Sequence, residues 1–451
     1  MVYDSLAVIV LAAGLGTRMK SSLPKVLHPL AGRPMINHLL ATVEALEPER
    51  VAVVVGPGMD AVAQAVAPHR TVIQDAQLGT GHAVQQAAES LVGFSGTVLI
   101  LYGDTPLITR PTLDAMLDRR RQQPAPAVVV LGFRPADPAE YGRLVLGPGG
   151  LEAIVEFKDA TPQQRALVLC NSGVMAVDGR RLCDLVDRLD NANAKGEYYL
   201  TDIVGLAHAD GAVCGFVEGA AEELLGINSR LELAAAEAVV QARLRRAAME
   251  GGVTLEDPSS VHLSWDTKLG RDVTIAPHVY FGPGVTVGDG VEIRSFCHLV
   301  GATIEAGADL GPFARLRPGA WVGRDVHVGN FVEVKNTTIE QGAKVGHLTY
   351  LGDARIGAGA NIGAGTITCN YDGFSKSFTD IGAGAFIGSN SSLVAPVAVG
   401  NNSIVGAGSV ITRDVSEGSL AVARNAQLEL PGWVERFRER KKAEQAQKKR
   451  D

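Results

Sequence analysis

The 451-residue chain lacks any apolar run near the roughly 20 residues that a membrane-spanning helix needs. It has little cysteine. The five residues Cys170, Cys183, Cys214, Cys297 and Cys369 are odd in number and show no CxxC spacing, which argues against a disulfide frame or a zinc site and for free thiols in a reducing compartment. Positive charge is not in excess: 42 Lys and Arg against 49 Asp and Glu give a net charge of -7, which argues against nucleic acid as a partner. No basic segment precedes the apolar stretch from Leu6 to Ala13; Asp4 stands before it and a glycine turn follows, so it reads as a buried strand and not as a signal peptide. A composition of 46% hydrophobic and 20% charged residues excludes a disordered chain. The expectation is a soluble cytoplasmic protein with no membrane insertion.

What the chain does have is glycine, 52 residues of it, concentrated in the C-terminal half. The two halves follow different patterns. Up to about residue 227, short β-branched runs (6–13, 51–55, 97–102, 127–133, 173–177) alternate with amphipathic segments such as 34–46, 81–91 and 110–121. That alternation predicts βαβ units on a mostly parallel mixed sheet, with ligand sites beyond the carboxyl ends of the strands. Residues 228–250 contain an Ala-, Leu-, Glu- and Arg-rich stretch without proline that ends at Gly251-Gly252, which predicts a long linking helix. From about Leu269 a six-residue period takes over, for example Leu269, Ile275, Phe281, Val287, Ile293 and Leu299, with short slips at 299–304 and 334–339 and a longer break at 372–378. A hexad period means a parallel β-helix, three hexads to a coil. About eight coils at ~4.8 Å each give a prism about 40 Å long. The fold class is therefore α/β plus all-β, with domains at 1–227 and 251–451 joined by a helix at 228–250. The hexads resemble those of the left-handed β-helix acyltransferases, which implies trimers that bind acyl-CoA between prisms.

The string LAAGLGTRM at 11–19, followed by Pro24-Lys25, places a glycine-rich loop after a strand. Gly14 and Gly16 let backbone N–H groups approach a polyanion, and Arg18 and Lys25 can neutralise charge that builds on a phosphate during transfer. The string lacks the P-loop lysine spacing and the third glycine of a dinucleotide fingerprint, which removes kinase and dehydrogenase readings. It resembles the signature of sugar-nucleotide pyrophosphorylases. IQDAQLGTGHAV, LYGDTPL, YGRLV, VEFKDA, NSGV, GEYYLTDI and GINSR follow in the order found in the bacterial bifunctional N-acetylglucosamine-1-phosphate uridylyltransferase / glucosamine-1-phosphate N-acetyltransferases, and the similarity runs from about residue 6 to Arg424.

Phosphoryl-type transfer needs charge stabilisation more than covalent help. Asp104, at the end of a strand, can supply an oxygen to a hard cation, although an ordinary helix cap is the plainer role for such a residue. The resemblance adds Asn228 as the second Mg²⁺ ligand. It also implies that Leu11, Ala12, Ala13, Gly14, Lys25, Gln74, Gly79, Thr80, Tyr102, Gly103 and Asp104 line the UTP site, and that Gly142, Glu156 and Asn171 face the sugar. Glu156 with Lys158 could equally be a solvated strand-end pair. The sequence departs from the family at Ser172, where Thr is common, and retains the hydroxyl.

Two stretches of the hexad region, 314–335 and 346–373, carry polar residues that stacking does not require. Within GHLTYLGDA, His347 is the candidate base for an amine attacking a thioester, because imidazole titrates near neutrality; a surface filler is the alternative for a lone histidine. The same resemblance implies that Arg317 and Lys335 hold the sugar phosphate, Tyr350 and Asn361 the sugar, and Ala364, Asn370, Tyr371, Ser389, Ala407 and Arg424 acetyl-CoA. Glu333 would orient His347 and Asn370 would polarise the thioester carbonyl. The activity implied is acetylation of glucosamine 1-phosphate by acetyl-CoA, followed by uridylyl transfer from UTP to N-acetylglucosamine 1-phosphate, in a homotrimer. Two rivals stand beside it, a single-activity sugar-1-phosphate nucleotidyltransferase with a structural or regulatory β-helix and a scaffold without turnover. The tail from 434, with eight basic residues against four acids, reads as a solvated helix or as a basic arm near a phosphate-bearing cofactor.

Overall fold

A computed structural model describes residues 5–448. The chain divides into two compact units, Met1–Ala248 with Leu263–Asp266, and Met249–His262 with Thr267–Asp451.

In the first unit, nine strands among the described residues form one sheet: β1 (Leu6–Leu11), β2 (Arg50–Val55), β3 (Arg70–Ile73), β4 (Thr97–Tyr102), β5 (Val128–Phe133), β6 (Arg143–Gly147), β7 (Gly150–Val155), β8 (Cys170–Asp178) and β9 (Cys214–Glu218). The order is β9-β5-β8-β4-β1-β2-β3, with β6 pairing to β8 and β7. β1 is parallel to β2 and β4, whereas β8 runs antiparallel to both β4 and β5. The sheet is thus mixed as expected. Four of its strands, β3, β6, β7 and β9, are absent from the apolar runs read in the sequence, being short or only partly buried.

Along β1 every residue is buried, and successive side chains enter different cores. Leu6, Val8 and Val10 pack with α1 (Met35–Glu44), with α3 (Arg110–Arg121) and with Ala236 and Val240 of the long helix α6 (Arg230–Glu250). Ala7, Ile9 and Leu11 pack with α2 (Thr80–Ala88), α4 (Gly179–Asp187) and α5 (Asp202–Ala209). Helices therefore cover both faces, and the carboxyl ends of β1 and β4 open into loops that carry the first site.

The second unit is a parallel β-helix with three inward-facing ladders. One runs through Ile275, Ile293, Leu310, Val328, Val345 and Ile362, in steps of 17 or 18 residues. Phe281, Leu299, Leu316 and Val334 start the second; Leu269, Val287, Ile304, Val322 and Ile339 start the third. Eighteen-residue steps are three hexads; two of the 17-residue steps are the slips seen in the sequence, and the third, from Val345 to Ile362, comes from a further slip between Leu351 and Ile356. The break at 372–378 is the excursion that lengthens the step from Ile362 to Ile387. The first ladder has ten strands, longer than the hexad period indicates, because its end coils are irregular: Leu255 pairs with Ile275 and Val405 with Ala421. The described part of the tail forms α7 (Trp433–Gln447), which buries no residue and stacks Trp433 on Phe437 at 5.0 Å.

Candidate active sites

Beyond the carboxyl ends of β1 and β4 lies a cavity of about 290 Å³ lined by Leu11, Ala12, Ala13, Gly14, Lys25, Gln74, Gly79, Thr80, Tyr102 and Asp104, together with Val26, Gln77, Ala83 and Glu197. Ten of the residues expected around a nucleotide thus share one wall. The glycines serve different ends. A Cβ on Gly16, where φ is +61°, would meet Lys25 Cβ at 2.5 Å, and one on Gly79, where φ is +109°, would meet the Tyr198 carbonyl at 2.7 Å, so both are required by the chain itself. A Cβ on Gly14 would meet nothing within 4 Å, which leaves its backbone open to a ligand. Gln74 is buried and donates to the Gly79 carbonyl at 3.0 Å, and Gln77 donates to the Ala13 carbonyl at 2.6 Å. Gln77 and Glu197 were not singled out in the sequence, although each lies inside a quoted motif. Arg18, in the single turn Thr17–Met19, is exposed and lies outside the residues lining the cavity, whereas Lys25 points into it.

Lys25, Asp104 and Asn228 meet at one point. Lys25 Nζ donates to Asp104 Oδ2 at 2.5 Å and to Asn228 Oδ1 at 3.0 Å. The chain arranges this with backbone contacts: Gly103 N–H donates to the Leu11 carbonyl, and Ile227 N–H to the Asp104 carbonyl at 2.9 Å. The start of α6 fixes Asn228 further. Ser229 Oγ accepts from Glu232 N–H, while the Glu232 carboxylate accepts from Asn228 N–H at 2.7 Å. Among the described residues no group of three or more His, Cys, Asp and Glu side chains could hold a metal ion. A carboxylate plus an amide oxygen is nonetheless a donor set that suits Mg²⁺, a hard cation that keeps waters and phosphate oxygens in its remaining positions.

Gly142, Glu156 and Asn171 are also brought together. A Cβ on Gly142 would lie 3.5 Å from Glu156 Oε1 and 3.6 Å from Asn171 Cβ, and Asn171 N–H donates to the Gly142 carbonyl at 2.9 Å. Burial raises the Glu156 carboxyl above its usual range, against the opposing pull of Lys195 and of a hydrogen bond from Thr201. Burial likewise raises the Tyr102 phenol, whose ring lies 2.7 Å from where a Gly173 side chain would begin. Ser172 Oγ donates to the Leu131 carbonyl at 2.6 Å and accepts from Val174 N–H, so the departure from Thr keeps the backbone contact made by the hydroxyl.

On the prism, His347 is exposed at the end of Lys344–His347, level with Asn330 one coil before. Its Nδ1 lies 2.5 Å from Asn330 Oδ1, which can only accept, so Nδ1 carries the proton and Nε2 presents the lone pair. Glu333, expected to orient His347, makes other contacts within the chain. It lies on another ladder, between Arg315 and Tyr350, and its carboxylate accepts from Arg317 at 2.8 Å and from Arg315 at 3.5 Å. Asn330 is the residue that holds His347, and a one-coil step of 17 residues back from 347 would have found it.

Beyond His347 the same column carries Ala364, Ser389 and Ala407. Their glycine neighbours are packed against the next coil: a Cβ on Gly363 would meet Ser389 N at 2.5 Å, and one on Gly388 would meet Ala407 N at 2.4 Å. The strip thus carries only small side chains, and Arg424, which donates to the Ala407 carbonyl, ends it with a cation. Asn370 and Tyr371 follow a strand of a different ladder, Ile367–Cys369, and Tyr371 bridges to Lys376 across the excursion. Asn370 is buried and donates to Asp353 Oδ2, while Tyr371 is exposed and donates to the Gly373 carbonyl at 2.6 Å. Asn361 lies between Lys344 and Phe386. Lys335 Nζ is 3.9 Å from Asp353 Oδ2. A residue outside the expected set, Lys376 of the excursion, stands against Lys335, and contact with that like charge lowers its ammonium below the usual lysine range. Tyr350 is a neighbour of the same ammonium. Asp353 is a neighbour of both lysines, and Lys376 escaped the sequence reading because it sits where the hexad period breaks.

Residues 8–167 match the MobA-like NTP transferase domain, and residues 266–301 and 378–413 match the bacterial transferase hexapeptide. Over 448 residues the chain is 68% identical to the bifunctional protein GlmU of Paramagnetospirillum magneticum, an alignment covering 99% of this chain and 100% of the relative. The chain belongs to the GlmU family. Two further GlmU proteins are also similar: that of Rhodospirillum rubrum is 66% identical over 96% of this chain and 97% of its own, and that of Sphingopyxis alaskensis 56% identical over 99% and 100%. The hexads are accordingly those of a left-handed β-helix. Among the described residues no helix is long and apolar enough to cross a membrane.

Proposed function

We propose that the two units carry the two reactions of a GlmU enzyme, with residues 1–227 as the uridylyltransferase, 228–250 as a linking helix and 251–451 as the acetyltransferase with its basic tail. The enzyme acetylates glucosamine 1-phosphate and then transfers a uridylyl group from UTP to the N-acetylglucosamine 1-phosphate formed, releasing pyrophosphate. At the prism His347 Nε2 takes a proton from the sugar amine as the amine attacks the acetyl carbonyl and the CoA thiolate leaves. Arg317, Lys335 and Lys376 hold the sugar phosphate, with Tyr350 and Asn361 against the sugar. Acetyl-CoA lies along Ala364, Ser389 and Ala407 toward Arg424, beside Asn370 and Tyr371. In the first unit Gln74, Gly79 and Thr80 line the uridine end of the cavity, Lys25 neutralises phosphate charge, and Gly142, Glu156 and Asn171 seat the sugar. Asp104 and Asn228 would hold Mg²⁺, which supplies charge neutralisation on the phosphates. The working form is a cytoplasmic homotrimer.

The observation that carries the two-activity reading over a pyrophosphorylase with an inert prism is the column from His347 through Ala364, Ser389 and Ala407, which stacking alone does not call for. The test is an Asp104→Asn variant assayed for both products. Pyrophosphate release should fall by about 10²-fold or more while thiol release from acetyl-CoA is unchanged; loss of both in a folded protein would contradict the division of labour.

A further inference from the structure

The closest charge contact of the first site joins Lys25 to the two oxygens assigned to a cation. Lys25 Nζ lies 2.5 Å from Asp104 Oδ2 and 3.0 Å from Asn228 Oδ1, and the Lys25 and Asp104 side chains are 11% and 20% exposed. The ammonium therefore fills the position on which a carboxylate and an amide oxygen converge, and it does so with a stem packed against Gly16 and a backbone turn, Lys25–Leu27, that begins after Pro24. We propose that Lys25 is the resident counter-ion of this site, occupying it until a divalent cation displaces the ammonium onto the nucleotide's phosphates.

The inference rests on the reading of Asp104 and Asn228 as cation ligands and adds an order to it. A lysine ammonium and a divalent ion cannot share the same two oxygens, since like charges a few ångströms apart in a partly buried site repel strongly. A divalent ion arriving alone would leave the Lys25 charge without a partner in a pocket that exposes only a tenth of its side chain. With a triphosphate present the ammonium gains a new anionic partner, and lysine is suited to that as a compact, movable point charge. Nucleotide and divalent ion should therefore each strengthen the binding of the other, by the same factor.

Manganese serves as the probe, with free Mn²⁺ measured by electron paramagnetic resonance on the full-length chain. Without nucleotide, Lys25→Met should bind one Mn²⁺ at least about tenfold more tightly than wild type, and Lys25→Met/Asp104→Asn should lose that site. Lys25→Arg retains the charge and should keep the weak wild-type affinity, which guards against an effect of repacking. Measured against the Mn²⁺ that UTP holds by itself, adding UTP should tighten Mn²⁺ binding by a larger factor in wild type than in Lys25→Met, where the phosphates add ligands but release no ammonium. Equal or weaker binding by Lys25→Met, or tightening in Lys25→Arg as well, would overturn the proposal. Metal-dependent pyrophosphate release by wild type separates the two levels: if release is present and Mn²⁺ affinity is indifferent to Lys25, the counter-ion role fails alone, whereas absence of release would remove the uridylyltransferase reading beneath it.

Discussion

The imidazole of His347 is useful only if its free nitrogen is the basic one, and Asn330 decides that. An amide oxygen at 2.5 Å from Nδ1 fixes the tautomer without adding charge. Asn330→Ala should lower the acetyl-transfer kcat at least about tenfold while leaving KM for acetyl-CoA and the rate of pyrophosphate release as in wild type, because the ring would lose its orientation and not its pocket. An unchanged kcat would show that the contact is incidental. Residues of this kind mark where sequence reading stops. GHLTYLGDA picked out His347, since nothing in prism stacking needs that string, but its partner lies in the preceding coil. Likewise the spacings of Lys25, Asp104 and Asn228 carry no sign that they meet, being 79 and 203 residues from Lys25; only resemblance to a family put them in one site.

At the scale of elements, α5 begins beside the sugar end of the first site. Thr201 donates to Glu156 at 3.4 Å, and the next residue, Asp202, has its carboxyl raised to about 6 by burial and by the nearby acids Asp190, Glu156 and Asp159. The folded chain thus holds the Asp202 proton more tightly than the unfolded chain, whose carboxyl titrates near 3.9. Ionised Asp202 costs stability, and the cost grows as pH rises from about 4 to about 6 and is level above. Asp202→Asn should therefore be neutral in thermal midpoint near pH 4, increasingly stabilising up to pH 6, and constant from there to pH 8; a difference independent of pH would contradict this account. The elements themselves were legible to different degrees. Buried strands such as β1 and β4 announce themselves as unbroken apolar runs, and the hexads fix the ladders to the residue. β6 and β7 do not, because they are half-exposed and extend from the sheet only through β8. The end coils of the prism were missed because their steps, from Leu255 to Ile275 and from Val405 to Ala421, abandon the period.

For the molecule as a whole, the prism carries an exposed strip of small residues ending in an arginine, which is the proposed wall of an acyl-CoA site. The proposed homotrimer supplies the other wall from a neighbouring chain. Sedimentation of the purified protein should accordingly give three times the 47.3 kDa chain mass, and dilution that dissociates it should abolish acetyl transfer before uridylyl transfer. A monomer active in both reactions would contradict the assembly and leave the chemistry intact. The central claim, that one chain runs two separate chemistries, is tested most directly by following thiol release from acetyl-CoA on adding glucosamine 1-phosphate, and pyrophosphate release from UTP with N-acetylglucosamine 1-phosphate, in wild type and His347→Ala side by side. Wild type should give both products; the variant should lose thiol release by about 10²-fold or more and keep pyrophosphate release. No thiol release from folded wild type, or equal loss of both products in the variant, would contradict it.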